Sequence, residues 1–173
     1  YGLMVNKENG NKRPCYFCFR DRKDKKIIWF VPISTKYEKY KKLYESKKAK
    51  AGKRPVYNFV FGNVLGKKAV FLIQNIFPTT EKYIENKYVN SNIDVEIPTT
   101  VKDNVIITSF RVVELAERGI NVPFYNIVEM KNILLENKNA QENIQENAQV
   151  NTQVNVQDNK GEMKYDSKTK RNR

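Results

Sequence analysis

Pro14-Cys15-Tyr16-Phe17-Cys18-Phe19, then Asp21–Lys25, then Ile27-Ile28-Trp29-Phe30-Val31-Pro32-Ile33-Ser34-Thr35 is the stretch that decides the fold. Two runs dense in aromatic and β-branched residues flank a charged turn, which is the pattern of an antiparallel hairpin. Pro14 opens the first strand, a position where a missing N–H is tolerated. Alternation places Cys15, Phe17 and Phe19 on one face and Tyr16 and Cys18 on the other. Pro32-Ile33-Ser34-Thr35 ends the second strand. In such a hairpin the start of strand one lies beside the end of strand two. Arg13 and Ser34 are then expected as neighbours at one rim of the sheet. A guanidinium beside hydroxyls is a phosphate clamp, a fixed fork of donors with O–H donors next to it. The plainer role for such an Arg is a surface ion pair.

Further strands are expected at Val56–Phe61, with Gly62-Asn63 and Gly66 marking the turn after it, and at Ala69–Ile73, continuously apolar and central. Gln74-Asn75-Ile76-Phe77-Pro78 follows the latter. A short helix capped by Thr79 or Thr80 carries Tyr83 and Ile84. Residues 86–98 read as a loop with one short strand. Thr99–Glu117 reads as a helix with Ile106, Phe110 and Val113 on its apolar face and Gly119 as its stop. Another begins at Pro123, with Ile127, Met130, Ile133 and Leu134 as its stripe. The fold class is α+β.

Charge is the strongest compositional signal. Lys and Arg number 32 and Asp and Glu 19 in 173 residues, a net +13. The part before Asn137 carries +11. Lys36 to Arg54 alone holds nine basic and two acidic residues, with Tyr37, Tyr40 and Tyr44 at helical spacing. A body this basic suits a polyanion, most often nucleic acid; the alternative is a solvated basic surface. The tyrosines either pack on the body or stack on bases.

Absences narrow the chemistry. With no histidine, no imidazole serves as general base or metal ligand. Two cysteines make neither a disulfide framework nor a four-thiolate zinc site. Cys15 and Cys18 read as half-buried thiols of a reducing cytosol. No cofactor or metal is expected. The longest apolar run, Ile27–Ile33, falls far short of the roughly 18 residues of a membrane span. The chain starts at Tyr1 rather than Met, so a preceding segment is expected.

The body is expected at residues 1–136 and a tail at 137–173. From Ala140 to Asn159 a tetrapeptide recurs five times, from Ala-Gln-Glu-Asn to Val-Gln-Asp-Asn. Its apolar content is too low for a core, so it reads as disordered, and the end from Lys164 to Arg173 is basic and polar.

Three short segments stand out together: Gly10-Asn11-Lys12-Arg13-Pro14, Val31-Pro32-Ile33-Ser34-Thr35 and Phe71-Leu72-Ile73-Gln74-Asn75-Ile76. In that order they resemble the MazF/PemK/Kid ribonuclease toxins, whose pattern is Gly-x-Arg-Pro, Pro-Ile-Thr and Leu-Leu-Glu-Gln-Ile. This chain has one more residue between Gly and Arg. The basic body, the extra helices and the Pro-Ile-Ser-Thr-Lys run resemble still more the ToxN/AbiQ toxins of type III toxin–antitoxin systems. The resemblance spans Asn6 to Tyr83 by motif and reaches about Glu136 by element order.

The resemblance implies a small antiparallel SH3-like β-barrel of MazF/PemK type with added helices. It implies a cytoplasmic toxin, with a role in phage defence, that cleaves RNA without metal. The ribose 2′-OH attacks the adjacent phosphate, leaving a 2′,3′-cyclic phosphate and a 5′-OH. Arg13 matches the motif Arg, with Lys12 the adjacent candidate. Ser34 matches the Thr of Pro-Ile-Thr, and Thr35 the Ser that follows in ToxN-like chains. Those chains often show Ser-Pro or Thr-Pro where this one has Thr35-Lys36. Lys36 lies where a Lys is common, and Gln74 matches the family Gln. Lys39, Lys47, Lys48 and Lys50 join Lys36 and Gln74 as expected RNA contacts. The implied partners are RNA substrate and an antitoxin RNA of pseudoknot-like repeats, in a toxin–RNA oligomer. Two alternatives are a toxin of this fold inhibited by a protein antitoxin, and a non-catalytic nucleic-acid-binding SH3-like barrel.

Overall fold

A computed structural model describes residues 14–84, 87, 89–90 and 93–137. The segment before Pro14, with Lys12 and Arg13, and the repeat tail lie outside the described residues.

Strands β1 (Cys15–Arg20) and β2 (Ile28–Ser34) form the expected hairpin. Helix α1 (Tyr37–Ala51) follows, then the hairpin β3 (Val60–Val64) and β4 (Lys67–Phe71). A 3-10 turn at Ile73–Asn75 leads to β5 (Phe77–Thr79), and a second, Glu81–Tyr83, stands where a short helix was expected. Two-residue strands β6 (Val89–Asn90) and β7 (Ile93–Asp94) precede α2 (Thr99–Glu117) and a third helix, α3, over 127–137. The result is a mixed α+β fold around a curled antiparallel half-barrel. Strand order is β1-β2-β4-β3, with β5 also on β2. Leu134 is the last residue of this compact unit.

β2 organises the sheet. It pairs with β1 along one edge and changes partner along the other: Ile28, Trp29 and Phe30 face Thr79, Pro78 and Phe77, while Ile33 and Ser34 face Phe71 and Val70. So β4 and β5 run past the same strand in one direction. Between Phe71 and Phe77 the chain has more residues than the opposing stretch of β2, and the surplus folds out as the 3-10 turn. This corrects the expected strand Ala69–Ile73: it ends at Phe71, and β5 was not foreseen.

A bulge corrects the reading of β1. Phe17 pairs with Phe30 and Phe19 with Trp29, leaving Cys18 as the extra residue. One added residue reverses which face follows. Phe17 therefore meets Phe30, which stacks on Phe77, whereas Phe19 meets Trp29 and Phe110 of α2. The two phenylalanines do not share a face.

The third strand also shifts, from Val56–Phe61 to Val60–Val64, with Gly62 and Asn63 inside it. Leu65 and Gly66 make the two-residue turn, both at positive φ (53° and 71°), as a primed hairpin turn requires. Gly62 serves a close approach instead. A Cβ there would lie 2.5 Å from Val101 Cγ1, so glycine is what lets α2 sit against β3.

The helices cover the sheet unequally. α2 runs over the expected residues, and its buried stripe is Val105, Ser109, Val112 and Val113: Val113 lies on it as expected, whereas Ile106 and Phe110 are half-buried, one position to its side. α1 buries no residue. It rests through Tyr37, Tyr40 and Tyr44 on Phe59, Phe61, Val70 and Leu72. α3 starts four residues after Pro123, which lies in a bend.

Candidate functional site

The three motif segments meet on β2. The Ile33 N–H donates to the Pro14 carbonyl (3.0 Å), and Cys15 faces Pro32. On the other side the Leu72 N–H donates to the Pro32 carbonyl (2.9 Å). Segments near residues 14, 33 and 72 thus become neighbours through the backbone of Pro32-Ile33. Described contact at this rim stops at Pro14, so the expected pairing of Arg13 with Ser34 falls outside the described residues, as does Lys12.

Ser34 is 9% exposed. Its Oγ accepts the Lys36 N–H (3.3 Å), and the Thr35 carbonyl accepts the Tyr37 N–H (2.8 Å). This local turn launches α1, as Ser and Thr side chains commonly do. The Ser34 hydroxyl keeps its own proton to donate, because a hydroxyl carries one donor and two acceptor sites. Thr35 and Lys36 are exposed beside it.

Gln74, an expected RNA contact, is 2% exposed. Its N–H donates to the Asn58 carbonyl (3.0 Å), and its Oε1 accepts from Asn58 Nδ2 (3.2 Å). Its carbonyl accepts the Phe124 N–H (2.9 Å). It braces the 3-10 turn from three directions, which leaves little of its side chain for a ligand to reach.

The lysines of α1 divide by helical geometry. At 3.6 residues per turn, Lys36, Lys39, Lys47 and Lys50 fall along one flank and Lys48 falls on the other, near Glu45 and Lys41. Lys47 is half-buried, at the edge of the tyrosine stripe; the other four are exposed. The tyrosine rings are engaged with the body. Tyr37 and Tyr44 meet Phe61 edge-on (5.2 and 5.5 Å between centroids), and Tyr40 tilts onto Phe59 (5.4 Å). Of the two readings of these tyrosines, packing on the sheet is the one realised. Lys68 lies over the Tyr37 ring at 5.2 Å and 3.7 Å from Glu38.

A buried charge cluster had no sequence forecast. Asp21, in the β1–β2 turn, accepts Lys131 Nζ (2.7 Å) and Trp29 Nε1 (3.0 Å) at Oδ2, and the Lys23 N–H (2.9 Å) at Oδ1. Lys131 also reaches Glu117 (3.2 Å), which pairs with Lys23 (3.4 Å). Burial pushes the Asp21 carboxyl up, but Lys131, Trp29 and the backbone donors outweigh it and hold the carboxyl below its ordinary range. With its lone pairs taken, Asp21 is a fastener between hairpin and helices. The aspartate is visible in a charged turn, but its partner lies 110 residues away, and no local signal links them.

Neither cysteine is in a disulfide. Cys18 Sγ donates to Ser109 Oγ (3.7 Å), and burial pushes the thiol up to about 12, too high for a nucleophile at neutral pH. Among the described residues no three His, Cys, Asp or Glu side chains gather as a metal site, and no helix is long and apolar enough to cross a membrane.

No family model and no curated protein matches this chain.

Proposed function

We propose that the chain is an endoribonuclease toxin of MazF-like barrel fold, nearest in kind to the ToxN/AbiQ toxins, acting in the cytoplasm and restrained by a repetitive antitoxin RNA. The observation that carries this reading is the meeting of the three motif segments on the backbone of Pro32-Ile33. Antiparallel pairing continued one step past Pro14 and Ile33 leads toward Ser34, where a motif Arg and a motif hydroxyl would flank one phosphate. The net +13 supports a polyanionic partner.

In this mechanism the 2′ oxygen forms a bond to phosphorus and loses its proton, while the P–O5′ bond breaks and the 5′ oxygen gains one. Arg13, with Lys12 beside it, offsets charge on the pentavalent phosphate. Ser34, with Thr35 as alternate donor, holds a non-bridging oxygen. Removing one such stabiliser costs on the order of 10²–10³ in rate. The test is the chemistry of RNA ends after brief induction. Expected are 2′,3′-cyclic phosphate and 5′-OH ends that form in EDTA and are lost in Arg13→Ala. Growth arrest by a soluble Arg13→Ala variant would move the role to Lys12.

The burial of Ser34 and the engagement of its Oγ with Lys36 favour a second reading, a barrel that binds RNA without cutting it. RNA bound with no cyclic phosphate product would select it. A protein antitoxin in place of an RNA would be shown by a neighbouring protein, rather than a repetitive transcript, that neutralises the toxin.

A further inference from the structure

Phe124 stands apart from the other phenylalanines of the body. It is 65% exposed. The remaining eight phenylalanines each meet another aromatic ring within 6.5 Å, whereas among the described residues Phe124 has no ring partner.

The loop that carries it is nevertheless tied at three places. At its start the Gly119 N–H donates to the Ala116 carbonyl and the Ile120 N–H to the Leu115 carbonyl (2.9 Å each), closing the end of α2. At its end Asn126 Oδ1 accepts the Glu129 N–H (3.2 Å), capping α3. In the middle the Phe124 N–H is held by the Gln74 carbonyl (2.9 Å), and Gln74 is itself buried and braced by Asn58. An exposed ring on a fastened loop has lost its backbone freedom in advance, which favours binding. Gln74 belongs to the third motif segment, two residues after Leu72, whose N–H bonds the Pro32 carbonyl, so the backbone of the loop is fastened to that segment. From Arg118 to Asn126 there is one basic and no acidic residue, so no carboxylate of this loop repels phosphate.

We propose that Phe124 is a stacking platform for one unpaired base of a single-stranded RNA held at the motif rim. The proposal rests on RNA being the partner, and it names the strandedness and one contact of that partner. A duplex keeps its bases stacked on each other, whereas a single strand offers a base face to an aromatic ring.

The test uses full-length protein with unstructured oligoribonucleotides carrying 2-aminopurine, and a blunt RNA duplex for comparison. Expected are tighter binding of the single strand and quenching of the probe at one position. Phe124→Leu should weaken single-strand binding by about 5- to 150-fold, the range for removal of one stacked base. Phe124→Trp should restore it. Because the ring is exposed, both variants should melt like the parent. Unchanged affinity in Phe124→Leu, or equal affinity for duplex and single strand, overturns the proposal. So does a Phe124→Leu variant whose only change is an end to self-association in sedimentation. Stacking that vanishes in Phe124→Leu, in a protein that never yields cyclic phosphate, upholds this proposal and rejects the nuclease. Parent protein that binds no RNA rejects both.

Discussion

Helices α1 and α2 flank one sheet and relate to it in opposite ways. α2 buries Val105, Ser109, Val112 and Val113 and sets Phe110 against Phe19, and its end joins the buried contact of Asp21 with Lys131. α1 buries nothing; it leans on β3 and β4 through tyrosine edges and turns its lysines outward. Apolar burial of roughly 25 cal/mol per Å² accumulates under α2 far more than under α1. The difference separates holding the fold from presenting charge. Tyrosine suits the second task, since its ring packs while its hydroxyl stays wet.

The sharpest way to break the contrast is to strip the fastener at the α2 end. Asp21→Ala should cost about 3–5 kcal/mol in urea unfolding, because it leaves Lys131 buried without its nearest carboxylate. Asp21→Asn combined with Lys131→Met should recover much of that deficit. The pH dependence has a definite sign. The folded-state carboxyl lies below its unfolded value of about 3.9, so its contribution is present above that pH. It is lost as pH falls further, and the double variant should lack that acid sensitivity.

Next in size is Gly62→Ala. Its methyl would press on Val101 Cγ1, so α2 must lift, at a cost of about 1–3 kcal/mol. Adding Val101→Ala should relieve it. No rescue would mean that β3 needs glycine for its own backbone.

On the other helix the effects should be smaller. Tyr40→Leu removes the ring contact with Phe59, worth about 0.5–1.5 kcal/mol beyond apolar burial. A larger effect would show α1 to be part of the core. The smallest change in stability is expected for Lys39→Glu with Lys50→Glu, about 0.5 kcal/mol or less each. The same pair should flatten the salt dependence of RNA affinity by about 0.7–0.9 log units per decade for each phosphate that the variant no longer neutralises. An unchanged slope would make this flank solvated surface only.

Legibility follows the range of the interactions. The β1–β2 hairpin and the full extent of α2 could be read because aromatic density and helical periodicity are local. The face of Phe19 could not, because the Cys18 bulge is an agreement between two strands. Gln74 looked like a ligand contact from its motif and is a buried brace, since its partners Asn58 and Phe124 come from distant loops.

By itself, then, the chain determined its α+β class, the place of its first hairpin, its excess positive charge and the absence of imidazole chemistry, all properties of composition and short-range pattern. Only the tertiary structure decided that β2 would change partners at Pro32, that Asp21 would find Lys131, and that Phe124 would be pinned outside the core. Each depends on contacts between residues far apart in sequence, made favourable only once the sheet has brought them together.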